Sequence, residues 1–189
     1  MSFKILIIMT LLFASVNASA NDGGGGDKGG AAGASPIGPL KRASEKYVHS
    51  WSAFPPLTLK TLEAGEPQMI EVKKGRVSVV VFVASWCVPC QQLMPEFRRL
   101  AEHYKTRYTD IIYVFAHDAE PDAKAFAAFH KVQGGSFLGT AKVLQDFHQP
   151  DLPTVYVSDR YGWLAYRKLN IKAEDVVDLD KFLDLHTSF

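Results

Sequence analysis

Cys87 and Cys90 are the only two cysteines in the 189-residue chain, and two residues separate them. A purely structural disulfide between them would close a loop of only a few residues. Such a loop restrains the unfolded chain little and stabilises little. A zinc site needs four ligands, and no second cysteine pair exists. His49, His103, His117, His130, His148 and His186 show no spacing that would complete one. Copper delivery is the one metal role the pair leaves open. Redox chemistry suits the pair better. A thiolate attacks a disulfide sulfur, and a second thiol one helical turn on resolves the mixed disulfide.

That chemistry needs elements which expose one sulfur and seat the other. Val77 to Ala84 is a near-continuous β-branched and apolar run, the composition of a strand covered on both faces. A helix follows at once. Cys90, Leu93, Met94, Phe97, Leu100, Ala101 and Tyr104 recur at helical spacing, with Gln91, Gln92, Glu96, Arg98, Arg99 and Glu102 on the other face. Pro95 inside this pattern predicts a kink. Cys87 then stands where unpaired backbone N–H groups and the positive end of the helix dipole favour a thiolate. Cys87 is the expected exposed nucleophile and Cys90 the more buried resolving thiol. Val88 and Pro89 bring neither charge nor histidine to Cys87, which points to a reducing potential.

Around this core, Leu57 to Leu62 and Met69 to Val72 read as a hairpin with Gly65 and Glu66 between them. Ile111 to Ala116 is a second buried strand. Pro121 and Asp122 open a helix through Phe126, Ala127 and His130, and Thr140 caps a shorter one carrying Val143, Leu144 and Phe147. Thr154 to Val157 and Trp163 to Tyr166 flank a turn at Asp159 to Gly162. Val176, Val177, Leu179, Phe182 and Leu183 mark a final amphipathic helix. The order ββ, β, α, β, α, α, ββ, α implies a three-layer α/β domain with parallel central strands. Strand C-terminal ends, and the loops after them, then share one edge.

Residues 1–20 read as a secretory signal: Lys4, an apolar stretch from Ile5 to Phe13, and the cleavage site Ala18-Ser19-Ala20. The stretch is short for a bilayer span of roughly 20 residues, and an uncleaved anchor is the alternative. Residues 21–38 are rich in glycine and read as a flexible linker, leaving 39–189 as the folded domain. Formal net charge is +1 with both signs mixed along the chain, so nothing points to a nucleic-acid partner.

Phe82-Val83-Ala84-Ser85-Trp86-Cys87-Val88-Pro89-Cys90 resembles the active-site strand and turn of thioredoxin-like proteins. Pro95 matches the proline that kinks the thioredoxin active-site helix, and Leu152-Pro153-Thr154 is similar to the family's cis-proline loop. The N-terminal hairpin, and the extra helix between Ile111 and Pro153, are similar to the TlpA/ResA branch of exported or membrane-tethered disulfide reductases. The resemblance implies a thioredoxin fold with a central mixed sheet, and a Cys87/Cys90 dithiol–disulfide cycle without a bound cofactor. It also implies client proteins carrying disulfides, sometimes in cytochrome c maturation. A cis X–Pro bond costs only about 0.5–1 kcal/mol over trans, and a proline at 153 leaves the backbone of Leu152 free to pair with an extended client segment. Trp86 would shield Cys87 and shape the docking surface; Trp51 and Trp163 read as ordinary aromatics.

The sequence departs from that pattern in one respect. Thioredoxin carries a buried acid six residues before its first cysteine, where this chain has Val81. The TlpA/ResA branch often carries a glutamate three residues after the second cysteine, where this chain has Leu93. Glu96, one turn on, belongs to the polar face. His117 and Asp118 end a strand on the active edge, where polar residues are the usual occupants. The favoured reading is an exported dithiol reductase fed by a membrane thiol carrier. A disulfide oxidant or isomerase, and a client-binding or copper-delivery module, are the alternatives.

Overall fold

The computed structural model describes residues 52–62 and 66–188. The expected signal and linker, His49, Trp51 and Gly65 lie outside the described residues. Seven strands form one mixed sheet. In chain order they are β1 (Leu57–Thr61), β2 (Gln68–Ile70), β3 (Val77–Val83), β4 (Thr109–Phe115), β5 (Gly135–Gly139), β6 (Thr154–Ser158) and β7 (Leu164–Lys168). Across the sheet the order is β2-β1-β5-β4-β3-β6-β7. The helices are α1 (Val88–Tyr104), α2 (Glu120–Phe129), α3 (Ala141–Asp146) and α4 (Ala173–Thr187).

Every residue of β3 is buried, as a strand with helices on both faces requires. Alternation along it sorts the two cores. Val79, Val81 and Val83 join α1, α2 and α4 in one. Val80 and Phe82 join Phe54, α3 and Tyr156 in the other. Phe82 packs its ring 5.0 Å from Phe147 of the α3 end and 5.8 Å from Tyr156. The thioredoxin-like α/β fold, its central mixed sheet and its N-terminal hairpin are present. Helix α1 runs unbroken through Pro95.

The expected order needs one correction. A strand, β5, splits the stretch read as two successive helices. It pairs parallel with β4 and antiparallel with β1, and so is what joins the N-terminal hairpin to the sheet. Its sequence, Gly-Ser-Phe-Leu-Gly, hides it because glycine is a poor strand former. Gly134, just before the strand, and Gly139, at its end, are there for space. A Cβ on Gly134, where φ is +123°, would lie 2.4 Å from the Ile111 carbonyl oxygen, and one on Gly139 would lie 3.2 Å from that of Phe115.

Strands β3, β4 and β5 are parallel, and β6 runs against β3 with Phe82 opposite Thr154. The end of β3, the end of β4 and the start of β6 therefore meet at one edge, which carries the cysteines.

Candidate active site

Strand β3 stops at Val83 and α1 starts at Val88, so Ala84-Ser85-Trp86-Cys87 makes the turn. Cys87 is the helix N-cap, and its sulfur accepts a hydrogen bond from the Cys90 N–H at 3.2 Å. Pro89 occupies the first helical turn, where a missing N–H costs nothing. No acidic residue stands in that turn to oppose the helix dipole from within the helix itself. Cys87 and Cys90 are joined in a disulfide. Cys87 exposes 5% of its surface and Cys90 none, a smaller contrast than the sequence suggested. The openness belongs to their neighbours: Trp86 is 60% exposed and Val88 58%.

Beside the pair lies a cleft of about 470 Å³, lined by residues 86–89, by 150–152 and by His117. The Leu152–Pro153 peptide bond is cis. Hydrogen bonds hold the loop from behind. The Pro153 carbonyl accepts from the Ile171 N–H at 2.8 Å, and the Thr154 hydroxyl donates to the Asp151 carbonyl. The Asn170 N–H donates in turn to that hydroxyl at 3.3 Å. Trp86, Cys87, Val88, Pro89 and Leu152 thus share the cleft. Cys90, Pro153 and Thr154 are buried and do not line it.

Sequence reasoning undervalued the loop after β4. The Asp118 carboxylate accepts from the Ser85 N–H at 2.8 Å and from the Ser85 hydroxyl at 2.7 Å. The Gln91 amide donates to the Ser85 carbonyl at 2.8 Å. The signal was present as Ser85, a small hydroxyl residue directly before Trp86-Cys87, but only the fold supplies its partner.

The two positions that carry acids in the related proteins are apolar here. Val81 and Leu93 are buried apolar groups, and Glu96 is paired with Arg99 at 3.0 Å on the outer face of α1. Tyr113 sits opposite Val81 in the parallel ladder. Burial pushes its phenol well above the ordinary tyrosine range, so it stays protonated near neutrality and is no base. Among the described residues no three His, Cys, Asp or Glu side chains converge as a metal set.

The Redoxin family pattern matches residues 50–180. The chain belongs to the Redoxin family. Thioredoxin-like protein YneN of Bacillus subtilis is 26% identical over 143 residues, covering 75% of this chain and 82% of that one. Thiol-disulfide oxidoreductase ResA of Bacillus cereus is 30% identical over 101 residues, 51% of this chain and 58% of that one. A crystal structure of a thioredoxin-family thiol:disulfide interchange protein from Chlorobium tepidum superposes with a TM-score of 0.64. That likeness is at 18% identity and covers 75% of this chain and 99% of the other. These relatives support a TlpA/ResA-like protein of the thioredoxin superfamily, the solved structure shares the fold, and this chain carries the Cys87–Cys90 pair.

Proposed function

We propose that the protein is an exported dithiol reductase of client disulfides. The observation that carries the reading is Cys87 as the N-cap of α1, with its sulfur receiving the Cys90 N–H and no carboxylate in the first helical turn. In the reduced form the Cys87 thiolate attacks a client disulfide sulfur. The client S–S bond breaks, and the departing client thiolate takes up a proton. Cys90 then loses its proton and attacks the Cys87 sulfur, which releases the second client thiolate and leaves the Cys87–Cys90 disulfide. With Val81 and Leu93 apolar, water is the acceptor of the Cys90 proton. A membrane thiol carrier returns the two electrons.

Trp86, Val88 and Pro89 give the client an apolar landing surface, and Leu152, held in place by the buried Pro153 and Thr154, supplies the opposing backbone. Export is supported by the signal-like residues 1–20 and, for its relatives, by the TlpA/ResA branch. Cytochrome c maturation is the client context that the same branch suggests. The reducing direction rests on Val88-Pro89, which adds no positive charge beside Cys87.

Equilibration of the pair against a glutathione series tests this. The expected potential lies nearer about −270 mV than about −120 mV. A value above roughly −180 mV would make the protein an isomerase or oxidant.

A further inference from the structure

Ser85 is held on three sides. Its N–H and its hydroxyl both go to Asp118, and its carbonyl receives the Gln91 side chain. Asp118 lies beyond the end of β4 and Gln91 lies in the first turn of α1. The residue that leads into Trp86-Cys87 is therefore tied both to the neighbouring strand and to the helix Cys87 caps. A second tie runs parallel to the first: the Ala116 N–H donates to the Val83 carbonyl at 2.8 Å. Between the two ties sits His117, with φ of +59°, a conformation that L residues seldom adopt without outside support. The loop after β4 is thus clamped to the loop after β3 at residues 116 and 118. The strained residue between them lines the cleft beside Cys87.

We propose that Asp118 is a positioning residue for Cys87, fixing the Ser85-Trp86-Cys87 turn so that the sulfur stays in the N-cap position. The proposal rests on the reading of Cys87 as the attacking thiol. Its physics has two opposed parts. As an anchor, the carboxylate keeps Cys87 where the helix N–H groups stabilise a thiolate. As a negative charge near the turn, it disfavours that same thiolate. A neutral side chain of the same shape separates them. Asparagine can accept from the Ser85 N–H through its carbonyl and donate to the Ser85 hydroxyl through its amide, which keeps the anchor and drops the charge.

The test is the pH profile of Cys87 alkylation in the reduced full chain, read by peptide mass mapping for wild type, Asp118→Asn, Asp118→Ala and Ser85→Ala. Positioning predicts that Asp118→Ala moves the midpoint upward by about half a pH unit, the scale of a lost helix-terminus interaction. Asp118→Asn should leave it unchanged or lower it. Ser85→Ala, which keeps the N–H contact, should move it upward by less, and it carries the test if Asp118→Ala does not fold. Equal downward movement in both Asp118 variants would reduce the carboxylate to a charge and overturn the proposal. So would unmoved profiles in Asp118→Ala and Ser85→Ala. A wild-type protein in which Cys90 alkylates faster than Cys87 would instead sink the functional reading, whatever Asp118 does.

Discussion

The cysteine edge and the seam between α1 and α4 use polar groups in contrasting ways. At the seam, the buried Tyr104 hydroxyl shares its one hydrogen between the Asp180 backbone carbonyl at 2.8 Å and the Asp180 carboxylate at 2.7 Å. Arg99 joins the same carboxylate at 3.0 Å, and Arg107 meets Asp184 at 2.6 Å. Tyr104 and Arg99 reach from helix to helix, Arg107 joins from just beyond the end of α1, and the contacts consume the groups that make them. At the cysteine edge, Asp118, Gln91, Ile171 and Asn170 instead bind the loops from behind, through Ser85, Pro153 and Thr154. The front of those loops, with Trp86 and Val88, stays open. A seam is built to stay shut, whereas a site needs rigid loops whose outer face remains unsatisfied.

The two regions should therefore respond oppositely to mutation. Trp86→Ala removes a large exposed side chain from the front of the site. Client reduction should fall roughly fivefold or more, as for an aromatic anchor in an interface, while the thermal midpoint changes little. Insulin reduction and a melting curve measure both, and a large loss of stability with normal turnover would erase the contrast. Tyr104→Phe does the reverse. It deletes the shared hydrogen bond at the seam and should cost about 1–2 kcal/mol in urea denaturation, with turnover kept. Lost turnover in a folded Tyr104→Phe protein would mean that the seam is part of the machinery.

The smallest expected effect is a pH dependence at the far end of α4. His186 stacks on Phe182 at 4.1 Å. Burial holds its imidazole below the ordinary histidine range, with Asp159 opposing the shift and Arg160 adding to it. The unfolded chain then takes up this proton first as pH falls. Stability should be undiminished above the unfolded value of about 6.5 and decline as pH drops from there toward the folded value. His186→Gln should flatten that slope in melts between pH 7.5 and pH 5, and an unaltered slope would remove His186 as its source.

How much was legible beforehand follows from how local each signal is. The β3 run, the α1 periodicity and the Thr140 cap are written in consecutive residues, and each element formed with its ends within a few positions. The cysteine pair and Leu152-Pro153-Thr154 were equally local. Strand β5 was not, because its Gly139 answers to the backbone of β4, which is distant in the sequence, and its Gly135 to the ring of Phe137 as the folded strand places it. The Ser85–Asp118 contact spans 33 positions and becomes visible only when parallel strands bring their ends together. The exposure of Cys87 was overread for a related reason. A helix N-cap places the sulfur toward the backbone N–H groups, and Trp86 and Val88 take the surface instead.

The central claim is that Cys87 attacks and Cys90 resolves. It is tested most directly by trapping mixed disulfides with a disulfide-bonded client peptide, comparing Cys90→Ser with Cys87→Ser and mapping the cross-linked cysteine by mass spectrometry. Cys90→Ser should accumulate a stable mixed disulfide through Cys87, because the resolving thiol is gone, whereas Cys87→Ser should trap little through the fully buried Cys90. Trapping through Cys90 at an equal or greater yield would contradict the assignment.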